Sequence, residues 1–255
     1  MTKRHLVIPD TQCRPGVPLD HLDHAARAVI EYRPTSLHIM GDWWDMHSLS
    51  SHDRPGSKQM EGARYREDVD FGNEAMERFL SPIRAERSLW RRMQKHLYLG
   101  NHEHRITRAI SNEPKFDGAL SLTHLEARGV EIFPFLQPVE VDGVWYAHFW
   151  QHPHSSAAIG GQIQAMLAAI GDSFVAGHVQ GLKTGNRMYP TGKIRHGLVA
   201  GSFYQHNEDY RGPQGLTKHH WNGIVVLNDV RDGGNYELMP LSMDFLKRRF
   251  GGKKK

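Results

Sequence analysis

The run Leu97-Tyr98-Leu99 stops at Gly100 and is followed at once by an amide, an imidazole and a carboxylate: Asn101, His102 and Glu103. The same arrangement appears upstream, where Leu37-His38-Ile39-Met40 stops at Gly41 and is followed by Asp42, with Asp45 three residues on. A first apolar run, Leu6-Val7-Ile8, ends near Asp10, and a later one, Phe174-Val175-Ala176, ends at Gly177-His178. Four short apolar runs, each closing on an oxygen or nitrogen donor, are what strands look like when their ends converge on one metal ion.

Asp10, Gly41-Asp42-x-x-Asp45, Gly100-Asn101-His102-Glu103, the lone His148 and Gly177-His178 together resemble the signature of calcineurin-like metallophosphoesterases, in the family's order across residues 10 to 180. The resemblance implies two divalent ions that share one carboxylate, here Asp42. It assigns Asn101, His148 and His178, with Asp42, to one ion; His152 and His154 compete for the place of His148, but only His148 directly ends an apolar run. The other ion's set departs from the family pattern. Gln12 and Gln180 stand where histidines are expected, leaving Asp10, Gln12, Asp42 and Gln180 as an all-oxygen set. Such a set suits Mn²⁺ or Mg²⁺ better than Zn²⁺, so two divalent ions are expected, Mn²⁺ preferred, with Mg²⁺, Zn²⁺, Ni²⁺ and Fe as the alternatives. Weak or no binding of that ion is the alternative.

By the same resemblance, His102 stands near the leaving-group oxygen, with Glu103 as the candidate to orient it. Asp45 reads either as a carboxylate supporting the ligands or as a turn cap. Arg105 is a candidate phosphate contact or a surface arginine, Trp43 a stacking ring or a core residue, and His154 a further candidate substrate contact.

The elements needed to place these residues follow from periodicity. Asp20 to Tyr32 has helical spacing and ends before Pro34; with the strands on either side it makes a βαβ unit. Tyr65 to Met93 reads as two helical segments, with Pro82 marking a kink or a break. Further helices are expected at Arg105–Ile110, Gly118–Arg128 and Ser155–Ile170, and a hairpin over Val139–His148 turning at Asp142-Gly143. Leu198–Phe203, Gly223–Asn228 and Tyr236–Leu241 close the chain as strands. Helices between early strands and hairpins late predict a two-sheet α/β sandwich, the fold that the resemblance also implies, with flanking helices. The polar stretch from His47 to Lys58 is placed to form a rim over the site or a plain solvent loop.

The 255 residues are expected to form one domain over residues 1–250, followed by a solvated basic end at 251–255. No segment reads as a membrane span or signal peptide, so a cytoplasmic location is expected. With Cys13 as the single cysteine, no intrachain disulfide or thiolate cluster forms. A net charge of +4 and 18 histidines favour an anionic partner.

Together these features predict a metal-dependent phosphoesterase, with a phosphodiesterase or nuclease acting on DNA or a nucleotide preferred. A phosphomonoesterase is the alternative, and Met46, where the family's protein phosphatases carry arginine after the second aspartate, disfavours the protein phosphatase form. A binding scaffold with weakened catalysis is the reading from another class. The compact chain resembles phage and bacterial members, and nothing in it fixes an oligomeric state.

Overall fold

The computed structural model describes residues 2–51, 60–205, 220–231 and 233–252. Most of the polar tip of the stretch after His47 and the last three lysines lie outside them, so the rim and the full basic end predicted above fall largely beyond the described residues.

Eleven strands form two mixed sheets among the described residues. The first has the order β11 (Asn235–Ser242), β10 (Gly223–Arg231), β1 (Lys3–Ile8), β2 (Ser36–Ile39), β3 (Gln94–Tyr98), β4 (Glu131–Phe133). β1 to β4 run parallel, while β10 and β11 add antiparallel hairpin strands. The second has the order β5 (Val139–Val141), β6 (Val144–Ala147), β7 (Phe174–Ala176), β9 (Ile194–Ala200), β8 (Leu182–Met188). Here β6, β7 and β9 are parallel, and β5 and β8 are antiparallel edges.

Side-chain alternation sorts the layers. Leu6 and Ile8 of β1 face α1 (Asp20–Tyr32), α2 (Tyr65–Ala85) and α6 (Met243–Phe250), joining Leu22, Val29, Phe79, Leu80 and Leu246 in one core. Val7 points the other way, into a second core with Tyr98, Val144, Tyr146, Val175, Leu198 and Val225, which glues sheet to sheet. On the far side, α5 (Ile163–Ile170) covers Phe174 and Val199 with Met166 and Leu167. The result is a four-layer α/β sandwich, helices outside two mixed sheets, as predicted. The central strands are buried on both faces because both are covered.

Local expectations needed correction. The helix through Pro82 is not divided there: α2 continues to Ala85, and the break falls at Glu86, before α3 (Arg87–Arg92). Pro82 lacks only one donor, a loss that a long amphipathic helix with a buried face absorbs. The segment 118–128 holds a single 3₁₀ turn, Leu122–His124, because its apolar residues are too sparse to cover a helix face. The helix expected from Ser155 begins only at Ile163, after Gly160-Gly161. β8 and α6 were not anticipated: β8 is a mostly polar edge strand, and α6 is a short, charged helix started by the Ser242 hydroxyl accepting from Phe245 N–H.

Between the sheets, His5, His38 and His96 stand side by side across β1, β2 and β3, with ring centres 5.0 Å and 5.2 Å apart. His38 stacks on Tyr146 at 3.7 Å, and its Nδ1 is 2.9 Å from the Tyr98 hydroxyl. His5 bonds the Tyr146 hydroxyl (2.6 Å) and Asp142 (3.0 Å). Burial holds the pKa of all three below the usual histidine value. No helix of the described residues is long and apolar enough to cross a membrane.

Candidate metal centre

Each candidate ligand leaves the carboxyl end of a central strand: Asp10 and Gln12 after β1, Asp42 after β2, Asn101 after β3, His148 after β6, and His178 and Gln180 after β7. Two glycines let the loops approach. A Cβ on Gly41 would stand 2.3 Å from the Tyr98 carbonyl oxygen and 2.9 Å from His148 Nδ1, and one on Gly100 would stand 2.1 Å from Asp42 Oδ1. These close approaches are the physical reason a glycine precedes Asp42 and Asn101.

Asp42, His148 and His178 form a group whose donor atoms all lie within 4.8 Å of one another. Asn101 completes it: its Oδ1 is 3.0 Å from His148 Nε2 and 2.7 Å from His178 Nδ1. His148 Nδ1 lies 2.6 Å from the Met40 carbonyl oxygen, to which it donates, and this orients the ring with Nε2 facing Asp42 Oδ2 at 3.4 Å. The Met40 carbonyl was invisible in the sequence, where no side chain announces it.

The second set is legible from unmet hydrogen-bonding capacity. Asp10 Oδ2, Gln12 Oε1 and Gln180 Oε1 are buried and have no hydrogen-bond partner among the described residues. Buried oxygens are ordinarily paired, so three unpaired ones at the ends of β1 and β7 fit the donor set of a cation. Gln12, Asp42 and His178 also adopt positive φ (44°, 46° and 64°), a conformation that costs a side-chain-bearing residue free energy and clusters at functional sites. The donor sets thus suit divalent ions: oxygens around Asp10, a mixture of oxygen and imidazole around Asn101.

Electrostatics reflect the crowding. Burial alone would raise the Asp42 pKa, but the His102 and His148 imidazoles outweigh it and hold the carboxylate below its usual range. Burial pushes Asp10 up to about 7, offset in part by His148 and reinforced by Asp42. For His148, burial opposes the charge, yet Asp42 and Asp10 raise the imidazole to about 10. His178 is lowered by burial and by the neighbouring His148.

The roles of two acidic residues change. Asp45, not Glu103, faces His102: its Oδ1 is 3.1 Å from His102 Nδ1, in contact though off the line of a well-formed hydrogen bond. Arg14 stands 3.8 Å from the other Asp45 oxygen. His102 Nε2 is turned toward Asp42 Oδ2, at 3.7 Å. Burial would lower the His102 pKa, but Asp42 and Asp45 raise it overall. Glu103 is fully buried with its carboxylate on backbone amides, so it cannot orient His102.

Two candidate substrate contacts, Trp43 and Arg105, are engaged inside the protein. Trp43 has no exposed surface; it packs on Phe79 and donates from Nε1 to the Gly72 carbonyl, so no ring is left to stack on a base. Arg105 is buried and donates to the Asp45 and Met46 carbonyls at 2.9 Å and 3.2 Å, which ties down the loop bearing Asp45 in place of a phosphate. His154 lies exposed in the loop after β6.

The chain matches no family model and no curated protein. Among solved structures, it is similar to a dimetal phosphatase from Danio rerio, at 12% identity and a TM-score of 0.45 over 95% of this chain and 99% of that one. It is also similar to a second crystal structure at 10% identity and a TM-score of 0.45, over 95% of this chain and all of that one. Likeness this distant assigns no activity.

Proposed function

We propose that the protein is a metal-dependent phosphoesterase, and that phosphodiesters, including nucleic acids or nucleotides, are its preferred substrates. The observation that carries this reading is the convergence of Asp42, His148 and His178 within 4.8 Å on strand ends of both sheets. Asp42, Asn101, His148 and His178 would hold one ion; Asp10, Gln12 and Gln180, with Asp42 shared, would hold a second, with Mn²⁺ preferred by the oxygen donors. Bound divalent ions supply Lewis acidity toward the phosphoryl oxygens and lower the pKa of water.

The chain's own residues account for the remaining chemistry. His102 holds a proton at Nε2 on the face turned toward Asp42 and passes it to the departing oxygen, while Asp45 fixes the ring from behind through Nδ1. His178 is exposed, so the candidate centre is open to solvent on that side. The net charge of +4 favours an anionic substrate.

The test is an activity screen of metal-stripped protein reloaded with Mn²⁺, Mg²⁺, Zn²⁺ or Ni²⁺. Its substrates are nitrophenyl mono- and diesters and single- and double-stranded DNA. Turnover restored best by Mn²⁺, with diesters ahead of monoesters, is expected. Metal uptake without turnover on any ester would favour a binding scaffold instead.

A further inference from the structure

Glu103 spends its whole carboxylate on the backbone. Oε1 accepts from the Trp43 and Trp44 amides at 2.7 Å and 3.1 Å, and Oε2 accepts from the Asp42 and Gly100 amides at 3.0 Å and 2.7 Å. A carboxylate has about four acceptor positions, and all four are used. No oxygen is left for a metal, a substrate or His102. The side chain is 0% exposed, so water does not compete for these bonds.

The donors come from two loops. Three successive amides, 42 to 44, turn inward because Asp42 sits at φ 46°, and such a concavity of N–H groups is an anion nest. In this protein the nest is filled from within the chain. The fourth amide, Gly100, belongs to the loop that carries Asn101, and His102 N–H donates to Asp42 Oδ1 at 2.9 Å. One buried anion therefore locks the strained backbone of Asp42 and sets it against the Asn101 loop.

We infer that Glu103 is a positioning residue for the metal centre: its carboxylate preorganises the Asp42 and Asn101 loops before any ion arrives. This rests on the metal-site reading above. The inference predicts that metal affinity, and not only folding, depends on an oxygen that never touches metal. Losing a supporting hydrogen-bond partner of this kind typically costs 10- to 100-fold in affinity.

The experiment is calorimetric titration of metal-stripped protein with Mn²⁺, in wild type, Glu103→Gln and a control, Asp68→Asn. Gln keeps the shape but turns an NH₂ group against two amide donors. Asp68 is likewise buried and accepts a backbone amide, that of Ser48 at 2.8 Å, and it hydrogen-bonds no proposed metal ligand. Expected is a Mn²⁺ Kd raised about 10- to 100-fold in Glu103→Gln with unchanged circular dichroism, and a lowered Tm with Kd within about twofold of wild type in Asp68→Asn. A Glu103→Gln protein that loses Tm yet keeps its Kd would overturn the inference. Amide exchange in metal-free wild type decides the matter even where that variant does not fold. Amides 42, 43, 44 and 100 should be protected like strand amides, and exchange at open-loop rates would overturn the clamp. Wild type that takes up no divalent ion overturns the metal-site reading instead, and the exchange result still reports on the clamp.

Discussion

Two groups of buried histidines, one at the strand ends and one in the middle of the first sheet, are treated in opposite ways. At the strand ends, His102 and His148 face the carboxylates of Asp42, Asp45 and Asp10, which raise their pKa despite burial. Farther back, His5, His38 and His96 form a row between the sheets, where burial wins and the rings stay neutral. The rings of both groups are mostly hidden from water; the buried carboxylates around His102 and His148 outweigh desolvation, and the partly exposed Asp142 beside His5 does not. His38 faces tyrosines, and His96 reaches Glu131 only at 3.8 Å from an exposed side chain. Even His5, bonded to Asp142 beside Lys3, is lowered overall. A histidine-rich sequence therefore holds a reactive set and a packing set, separated by which strand residues end in carboxylates.

The comparison breaks most visibly at Asp42. Asp42→Asn removes the charge that His102 and His148 share, and elemental analysis should find the retained metal and the activity lost together; full metal content would dissolve the distinction between the two groups. Next in size, His102→Ala should leave metal content intact and lower kcat by about 10²- to 10⁴-fold on esters whose leaving group needs a proton. The loss should shrink on nitrophenyl esters. Equal losses on both would remove the proton-donor role.

The row should answer differently. His38→Phe keeps a ring on Tyr146 but leaves the Tyr98 hydroxyl without this partner, so denaturant melts should show a loss of about 1–3 kcal/mol, with Mn²⁺ affinity unchanged. The row also carries a pH signature. Its folded pKa values lie below the unfolded 6.5, so the unfolded chain binds more protons as pH falls from about 6.5. Stability present above that pH is then lost on acidification. Asp10, raised in the fold, acts in the opposite sense, and the contribution of the row is read as a difference between proteins. His38→Phe should flatten the slope by up to about 1.4 kcal/mol per pH unit; an unchanged slope would mean that His38 does not titrate this way.

The smallest effect is expected at the two glutamines. Gln12→His with Gln180→His puts imidazoles where orphaned oxygens now stand and should raise Zn²⁺ affinity, measured by competition with a chelating dye, by more than either single change. No change in stoichiometry or preference would separate both side chains from the metal.

The candidate donors were legible because a glycine followed by a donor at a strand end leaves a local trace: the chain must turn, and a small residue must permit the close approach. The βαβ start and the paired sheets were legible for a similar reason, since central strands covered on both faces are largely apolar. Longer-range choices left no such trace. Asp45 and Glu103 are both carboxylates close to His102 in the fold, and only the direction of each loop decides which meets the imidazole and which turns to the amides. Trp43 and Arg105 looked available because their neighbours in sequence are polar. α2 buries the first through Gly72 and Phe79, and the carbonyls of Asp45 and Met46 capture the second. β8 was missed because an edge strand carries polar residues that an alternation test rejects.

The two sheets contribute different halves of the metal centre. Asp10, Asp42 and Asn101 come from the first sheet, His148, His178 and Gln180 from the second, and across that seam the structure already places His148 Nδ1 on the Met40 carbonyl and His178 N–H on Asp10 Oδ1. A cation held by all of them acts as a rivet through both layers. Ligand binding to the folded state alone adds about 4 kcal/mol at a thousandfold excess over Kd, a sizeable share of what usually separates a folded chain of this kind from its unfolded state. Metal supply would then govern how long the molecule survives heat or proteases as well as whether it turns over. A chelator should loosen the strand-end side of the sandwich first, leaving the apolar core around Val7, Tyr146 and Val175, with the histidine row beside it, to hold the sheets together.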